Sequence, residues 1–177
     1  MELIQPDPAF EASYRAYIEE LGGEERYPFP MDFDHRDFAA MLDRIDAFER
    51  GVDLPAGYEP SSTYWLVDGD ELVGVSNLRH RLNRTLREFG GHIGLGIRPS
   101  RRAEGLGVEL LSRTIAVARA RGIEDVHIHC FADNPASAAM IRRVGGRLAT
   151  MDGADDAYPG LLRFIVPVGA RRTPDHR

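Results

Sequence analysis

The sequence predicts a mixed α/β fold, and three observations along the chain support this prediction. Two segments with helical spacing come first, and consecutive strands rich in β-branched and aromatic residues follow them. A strand, a glycine-containing turn, a helix and another strand then appear in the order of a β-α-β crossover with parallel strands. A helix and a strand pair close the pattern. We therefore expect a mostly antiparallel sheet with a single central crossover.

The first part of the chain predicts a short edge strand and two helices. Residues 1–6 suit the edge strand, and Asp7 with Pro8 is a typical N-cap and first-turn pair for the helix that follows. A second helix is predicted over residues 35–50, with Asp34 as its cap. The apolar positions of the two helices indicate a shared core. They are Phe10, Tyr14, Tyr17, Ile18, Leu21, Phe38, Met41, Leu42, Ile45 and Phe48.

The middle of the chain predicts an antiparallel meander. Strands are expected over residues 62–67 and 71–82, joined by a hairpin turn at Asp68-Gly69. A second hairpin near residues 86–91 leads into a strand over residues 92–97.

The last part predicts two helices and three strands. The helices are expected over residues 108–121 and 136–144, the second of them capped by Asn134. A strand over residues 125–131 separates the helices, and residues 147–151 and 161–168 complete the sheet as a closing pair of strands.

Length and composition favour one domain over residues 1–168 and a disordered tail over residues 169–177. No apolar run approaches the roughly 18 residues that a membrane-spanning helix needs, and the N-terminal segment lacks the features of a secretion signal. Cys130 is the only cysteine. An internal disulfide is therefore excluded, and we expect the protein in the reducing cytoplasm.

The charge is divided unevenly along the chain. Residues 1–60 contain 15 Asp or Glu and 5 Arg, whereas residues 61–177 contain 13 Asp or Glu and 17 Arg. The basic part suits a polyanionic ligand and the acidic part would attract cations, although solvated faces explain the acidic part equally well. Nucleic acid is not expected as a partner, because the net charge is −6 and the arginines do not alternate with exposed aromatic residues.

The turn between the strand over residues 92–97 and the next helix has the pattern of an anion site. Arg102, Gly105 and Gly107 form the motif R-x-x-G-x-G. Glycines ahead of a helix let backbone N–H groups point outward together with no Cβ to obstruct a ligand. The dinucleotide motif G-x-G-x-x-G and the P-loop motif are both absent, and the sequence contains no lysine. A phosphate site of another kind is predicted.

This turn resembles the pyrophosphate-binding motif of the GNAT superfamily, the Gcn5-related N-acetyltransferases. Asn134 and Gly145 stand at the usual spacing of a second GNAT signature, and the resemblance covers residues 60–168. Residues 77–80 and 90–94 are similar to a poorly characterised bacterial subgroup of predicted acetyltransferases. The resemblance implies a GNAT fold in which the two strands flanking the crossover helix splay apart. It also implies transfer of an acetyl group from acetyl-CoA to a primary amine of a small molecule or peptide.

The resemblance assigns the coenzyme to the turn and the strand before it. Backbone amides of the turn would hold the pyrophosphate, and Arg101 and Arg102 would add Coulomb attraction. Backbone groups near Ile97 would pair with the pantetheine arm and provide an oxyanion donor. The expected cofactor-binding residues are Ile97, Arg102, Ala103, Gly105, Leu106, Gly107, Val108 and Asn134.

Direct transfer requires a base, because an alkyl amine is mostly protonated at neutral pH. His92 is the first candidate, since many GNAT enzymes place a base near this point of the corresponding strand and imidazole titrates in the useful range. The alternative interpretation of His92 is a hydrogen-bonded strand histidine. His80 is the second candidate and Glu88 the third.

The sequence departs from the family where a general acid is expected. Many GNAT enzymes carry a tyrosine seven residues after the asparagine, and this chain has Ile141 there. Cys130, Tyr64 and Tyr158 are substitutes without positional support. A non-catalytic acetyl-CoA-binding sensor domain is therefore an alternative to an enzyme, and transfer of another acyl group is a third possibility.

The acceptor is expected on the side formed by residues 1–60, and the cofactor in the core formed by residues 61–168. The predicted acceptor pocket combines the first two helices, the aromatic loop 27–33 and the strands of the meander. Its acidity favours a cationic acceptor, and the contributing residues are Glu24, Glu25, Asp32 and Asp34. His127 and His129 have a spacing compatible with metal ligands, but structural histidines are favoured because no third ligand is near. A monomer or a homodimer is expected.

Overall fold

The computed structural model describes residues 1–149 and 158–167. The helices and strands within these ranges are, in chain order, β1 (Glu2–Ile4), α1 (Glu11–Leu21), α2 (Phe38–Arg50), β2 (Ser61–Asp68), β3 (Glu71–Arg79), α3 (Arg84–Glu88), β4 (Ile93–Ile97), α4 (Leu106–Ala120), β5 (Asp125–Phe131), α5 (Pro135–Arg143), β6 (Arg147–Leu148) and β7 (Leu161–Pro167). The predicted tail and the end of the predicted strand 147–151 lie outside the described residues.

The strands form two antiparallel sheets, one with the order β1-β2-β3-β4 and one with the order β5-β7-β6. β4 and β5 flank α4, as expected for the crossover, and they meet at the start of β4. There the His92 N–H donates to the His127 carbonyl at 2.7 Å. From Ile93 onward, no hydrogen bond joins the two strands within the described ranges. A space, called here the gap, therefore opens between β4 and β5, and the expected mixed α/β fold with splayed strands is confirmed.

Helices cover both faces of the first sheet. α1 and α2 pack on one face around Tyr14, Tyr17 and Trp65, which are each 1% exposed. α4 packs on the other face, where Leu110 and Leu111 are fully buried. Neighbouring residues of β2 point to opposite faces of the sheet. This two-sided burial explains why the strand lacks polar alternation.

The predicted elements differ from the structure in several places, and β3 ends at Arg79, three residues before the predicted end of that strand. α2 begins after Asp37, whose carboxylate accepts a hydrogen bond from the Ala40 N–H at 3.0 Å. The predicted cap Asp34 instead pairs with Arg36, so its carboxylate is unavailable to the helix. The connection from β3 to β4 contains the short helix α3, because Asn83 supplies an N-cap. α4 begins at Leu106, two residues earlier than predicted.

Arg98 is a buried charge that ties α1 to the first sheet. Its side chain is 10% exposed and pairs with Glu20 at 2.6 Å and with Glu71 at 3.4 Å. Arg101 also pairs with Glu71. Because Arg98 directly follows β4, these contacts fix the position of the turn relative to α1.

We expect Arg98→Leu to lower the free energy of unfolding by about 2–3 kcal/mol, since it leaves the Glu20 carboxylate in a partly buried site without its cation. The hydrogen bond from Arg98 lowers the pKa of Glu20. This contribution to stability is present above the unfolded-state pKa and is lost as the pH falls through the lower folded-state pKa. Urea denaturation should therefore show a difference between variant and wild type that shrinks from neutral pH to about pH 3.

Arg113→Leu is the matched control, because Arg113 forms a half-exposed pair with Glu109 on one helix. It should cost less than about 0.5 kcal/mol. An equal cost for both variants would contradict the role of Arg98.

Candidate functional site

The turn after β4 presents free backbone N–H groups at the start of α4. Gly105 is the N-cap residue with φ +81°, and no side chain caps this helix. The Arg102 N–H donates to the Pro99 carbonyl and the Val108 N–H donates to the Gly105 carbonyl, so these two predicted amides are already engaged. The N–H groups between them, in the first turn, have no partner within the helix. Together with the helix dipole they form a site for an anion.

β4 directs backbone groups into the gap. The Arg98 N–H donates to the Val73 carbonyl on β3. Because hydrogen-bonding direction alternates along an antiparallel strand, the N–H and C=O groups of Leu95 and Ile97 point away from β3. The Ile97 carbonyl accepts a hydrogen bond from Arg102 Nε at 3.2 Å, which agrees with this direction. An extended ligand with amide groups could pair with this edge.

Two adjoining cavities lead from the turn into the gap. The turn cavity, of 380 Å³, lies between β4, the turn and α5. The gap cavity, of 330 Å³, lies between β4 and β5. Leu95, Asn134 and Ser137 line both cavities. All eight predicted cofactor residues line the turn cavity, namely Ile97, Arg102, Ala103, Gly105, Leu106, Gly107, Val108 and Asn134.

Asn134 joins the two cavities and also caps α5. Its side-chain oxygen accepts a hydrogen bond from the Ser137 N–H at 3.0 Å. The side-chain NH₂ group is the remaining donor and is left for a ligand.

The positive charges near the turn are balanced by acids. Arg102 forms a bidentate ion pair with Glu24, in which its two terminal guanidinium nitrogens lie 2.7 Å and 3.2 Å from the carboxylate oxygens. Arg101 pairs with Asp68, Glu71 and Glu104. The attraction that these arginines exert on a polyanion is therefore weaker than their number indicates.

His92 lies where β4 and β5 touch and is 7% exposed. Its Nδ1 accepts a hydrogen bond from the His127 N–H at 3.0 Å. Burial, and to a smaller extent the neighbouring His127, lowers the pKa of His92 to about 4. A base function would require the lone pair that is already engaged at Nδ1. This geometry favours the alternative interpretation of His92 as a hydrogen-bonded strand histidine.

The other two base candidates line neither cavity. The Nε2 atom of His80 is 2.8 Å from the Ser62 hydroxyl oxygen, beside Glu49 and Arg121. Glu88 pairs with Arg84 at 3.0 Å.

His129 lines the gap cavity, and both of its ring nitrogens are buried with no hydrogen-bond partner among the described residues. Its neighbours Val126, Ile128 and Cys130 are buried, so the alternation of β5 places His129 on the face opposite Ile128 and Cys130. Burial, followed by nearby positive groups, lowers the pKa of His129 to about 3. The imidazole is therefore neutral, with one donor and one acceptor that a ligand could satisfy.

Tyr27 reaches the gap from the loop after α1. A Cβ added at Gly94 would lie 2.5 Å from the Tyr27 hydroxyl oxygen, and one at Gly96 would lie 2.3 Å from the Tyr27 carbonyl oxygen. The residue is 40% exposed, but its hydroxyl is buried against β4, and this burial raises the pKa of Tyr27. The sequence predicts Tyr27 as part of the aromatic loop of the acceptor pocket, but its contact with β4 was not predicted. The signal was the pair of glycines inside β4, which marks a close backbone approach.

Ile141, at the position of the family's tyrosine, and the three candidate substitutes for a general acid lie in different surroundings. Ile141 is fully buried, and Tyr64 is 8% exposed in the same core cluster. Tyr158 stacks on Phe89 with ring centroids 4.8 Å apart. Cys130 lines the gap cavity, and burial raises the pKa of its thiol. No group of three His, Cys, Asp or Glu residues in the described ranges is arranged to hold a metal ion.

A third cavity, the outer cavity of 610 Å³, adjoins the gap cavity. Glu25 and Tyr27 line both of them. The aromatic loop 27–33 contributes to its wall, as expected for an acceptor pocket, whereas Asp34 is not among its lining residues. The lining residues are Glu24, Glu25, Arg26, Tyr27, Phe29, Asp32, Phe33, Arg44 and Tyr58.

Residues 12–145 match the model of the acetyltransferase (GNAT) family. The chain belongs to this family. The family consists of acyl-CoA-dependent N-acyltransferases, and acetyl-CoA is its co-substrate. None of the helices in the described residues is long and apolar enough to cross a membrane.

Individual relatives add detail to the family assignment. A mycothiol acetyltransferase of Clavibacter michiganensis is 40% identical over 58 residues, which are 33% of this chain and 19% of that protein. The structure of Mycobacterium smegmatis RimJ in complex with CoA-disulfide has a TM-score of 0.67 at 15% identity, covering 94% of this chain and 81% of that one. Salmonella typhimurium YncA with acetyl-CoA has a TM-score of 0.62 at 18% identity, covering 98% and 97%. These structures share the fold.

We expect Gly107→Glu to abolish coenzyme A binding, because its side chain would enter the turn cavity and place a carboxylate beside the pyrophosphate site. The first added atom would also lie 2.9 Å from Met140 Sδ. Titration calorimetry measures the affinity. Ser112→Glu adds the same charge at an exposed position of α4 and should bind normally. Unchanged affinity in Gly107→Glu would show that the turn does not hold the coenzyme.

We expect Gly96→Ala to lower the free energy of unfolding by about 1–3 kcal/mol, because the methyl group overlaps the backbone of Tyr27. Gly23→Ala is the control, since nothing lies within 4 Å of its Cβ position. Urea denaturation compares the two variants. Equal stability would mean that the loop of Tyr27 does not rest on β4 in solution.

Proposed function

We propose that this protein transfers the acetyl group of acetyl-CoA to a primary amine of a small molecule or peptide. One observation carries the proposal: three adjoining cavities connect the anion-binding turn, the gap between β4 and β5, and an outer cavity open to solvent. Coenzyme A enters from the turn and the amine from the outer cavity. The two substrates meet in the gap.

The coenzyme would be held mainly by backbone groups. The N–H groups of Gly105, Leu106 and Gly107 bind the pyrophosphate, and the edge of β4 at Leu95 and Ile97 pairs with the amides of the pantetheine arm. The side-chain NH₂ group of Asn134 donates a hydrogen bond to the coenzyme from the opposite wall. The family resemblance implies the same role for Asn134.

The chemistry is a direct displacement. The amine nitrogen attacks the thioester carbonyl carbon, a C–N bond forms, and the C–S bond breaks to release coenzyme A thiolate. The ammonium form of the acceptor first gives one proton to solvent. In the transfer itself the neutral amine loses one further proton and the thiolate gains one, so atoms and charge balance. A β4 amide facing the gap would stabilise the oxyanion, an interaction worth about 3–4 kcal/mol when one donor is removed.

We assign the proton transfers to residues where the outer and gap cavities meet. Glu25 lines both cavities and takes the amine proton, a role that the engaged Nδ1 of His92 and the remote His80 fill less well. The hydroxyl of Tyr27, kept protonated by its raised pKa, donates to the thiolate in place of the tyrosine that Ile141 replaces. Neutral His129 accepts a hydrogen bond from the amine and orients it.

We expect Glu25→Gln to lower kcat at least tenfold while coenzyme A affinity stays unchanged, since general bases contribute about 10²–10⁴-fold. Thiol release from acetyl-CoA with a panel of primary amines measures turnover. Glu19→Gln, an exposed acid on α1, is the control and should retain wild-type kcat. A loss of turnover in His92→Gln but not in Glu25→Gln would return the base to His92.

A sensor domain that binds acetyl-CoA without catalysis is the second candidate, because Ile141 is buried in the core and offers no proton. Tight acetyl-CoA binding without thiol release for any amine would favour it. In either case we place the protein in the cytoplasm, where the free thiol of Cys130 stays reduced.

A further inference from the structure

The net charge of the outer cavity is less negative than its acidic residues alone would give. Two of the four acids expected to attract a cation are already neutralised. Glu24 pairs with Arg102 at 2.7 Å, and Asp34 pairs with Arg36 and lies outside the cavity wall. Glu25 and Asp32 are the lining acids for which the described residues show no ion pair.

Two arginines balance these carboxylates. Arg26 and Arg44 line the same cavity, and neither forms an ion pair with a residue of the described ranges. The Arg44 guanidinium stacks on the Phe33 ring, with its central carbon 4.2 Å from the ring centroid. Stacking fixes the plane of the guanidinium group and leaves its N–H edge free to form a bidentate hydrogen bond to a carboxylate.

The wall between the charges is aromatic. Phe29 packs edge-on against Phe33 and Tyr58, with ring centroids 5.7 Å and 5.5 Å apart. The volume of 610 Å³ is within the range of small-molecule sites. An apolar or aromatic body of a ligand would pack against this aromatic wall.

The positions of the charges define a direction. Glu25 lines both the outer and the gap cavity, whereas Arg44 lines the outer cavity and not the gap. A ligand that extends from the boundary with the gap into the outer cavity would present its amine at Glu25 and a negative group at Arg44.

We infer that the acceptor is an amphoteric amine, an amino acid or a short peptide, whose carboxylate binds Arg44 while its amine enters the gap beside Glu25. The inference rests on the proposed acetyl transfer and replaces the expected cationic acceptor with a zwitterionic one. Arg44 is then a specificity-determining residue, because it recognises a group that takes no part in the reaction.

Matched pairs of amines test this inference. Each amino acid is compared with the amine formed by its decarboxylation, namely phenylalanine with phenethylamine, tyrosine with tyramine, and lysine with cadaverine. The members of a pair differ in the carboxylate, so the ratio of their kcat/KM values isolates its contribution. Thiol release from acetyl-CoA gives the rates, and mass spectrometry identifies the acetylated product.

Wild-type enzyme should favour the amino acid of at least one pair by about tenfold or more, the effect of a charge-assisted two-pronged bond. Arg44→Gln should reduce this ratio to near one, and Arg44→Lys should retain part of it. Arg50→Gln makes the same substitution on the same helix, outside the cavity, and should leave the ratio unchanged. A wild-type preference for the decarboxylated amines, or an unchanged ratio in Arg44→Gln, would overturn the inference.

Failure of the proposed acetyl transfer gives a separate result. If no amine releases thiol, calorimetric titration of the same amino acids into the acetyl-CoA-loaded protein decides the inference by itself. Binding that is weakened in Arg44→Gln and kept in Arg50→Gln would support the carboxylate site without the reaction. Absence of binding for every amino acid would overturn it.

Discussion

The close contact between Tyr27 and β4 is the constraint on which the site depends. The loop after α1 can lie on the strand because Gly94 and Gly96 have no side chains there, and a Cβ at Gly96 would lie 2.3 Å from the Tyr27 carbonyl oxygen. This contact brings Glu25 to the point where the outer and gap cavities meet. On its other face, β4 packs Leu95 and Ile97 against the core that includes α4, so the same strand also positions the turn.

Features of the site that depend on nearby residues could be predicted from the sequence. β5 has the expected limits of residues 125–131, because its alternating pattern is complete within the strand. The eight residues predicted to bind the coenzyme line one cavity, since seven of them belong to a single strand–turn–helix segment. Asn134 joins them because α5 directly follows β5. The GNAT family assignment rests on the same local signals.

Features that depend on distant contacts could not be predicted in this way. The sequence predicts that a strand begins at His92, one residue before β4 begins, but not that the His127 N–H donates to the Nδ1 of His92. His80 turns toward Ser62 and the end of α4, which only the packing of α4 against the sheet determines. The same applies to charge. Counting acids predicts an acidic acceptor side, whereas the pair between Glu24 and Arg102 and the position of Arg44 make the outer cavity nearly neutral.

The arginines around the turn have a consequence for the chemical integrity of the protein. Arg98, Arg101 and Arg102 carry positive charge around the turn that we propose as the coenzyme site, and the whole sequence contains no lysine. A guanidinium group stays protonated at neutral pH and is not a nucleophile, whereas a lysine amine in the same place would compete with the acceptor for the acetyl group. The protein can therefore surround a reactive acyl donor with cations without offering it a lysine amine to acetylate.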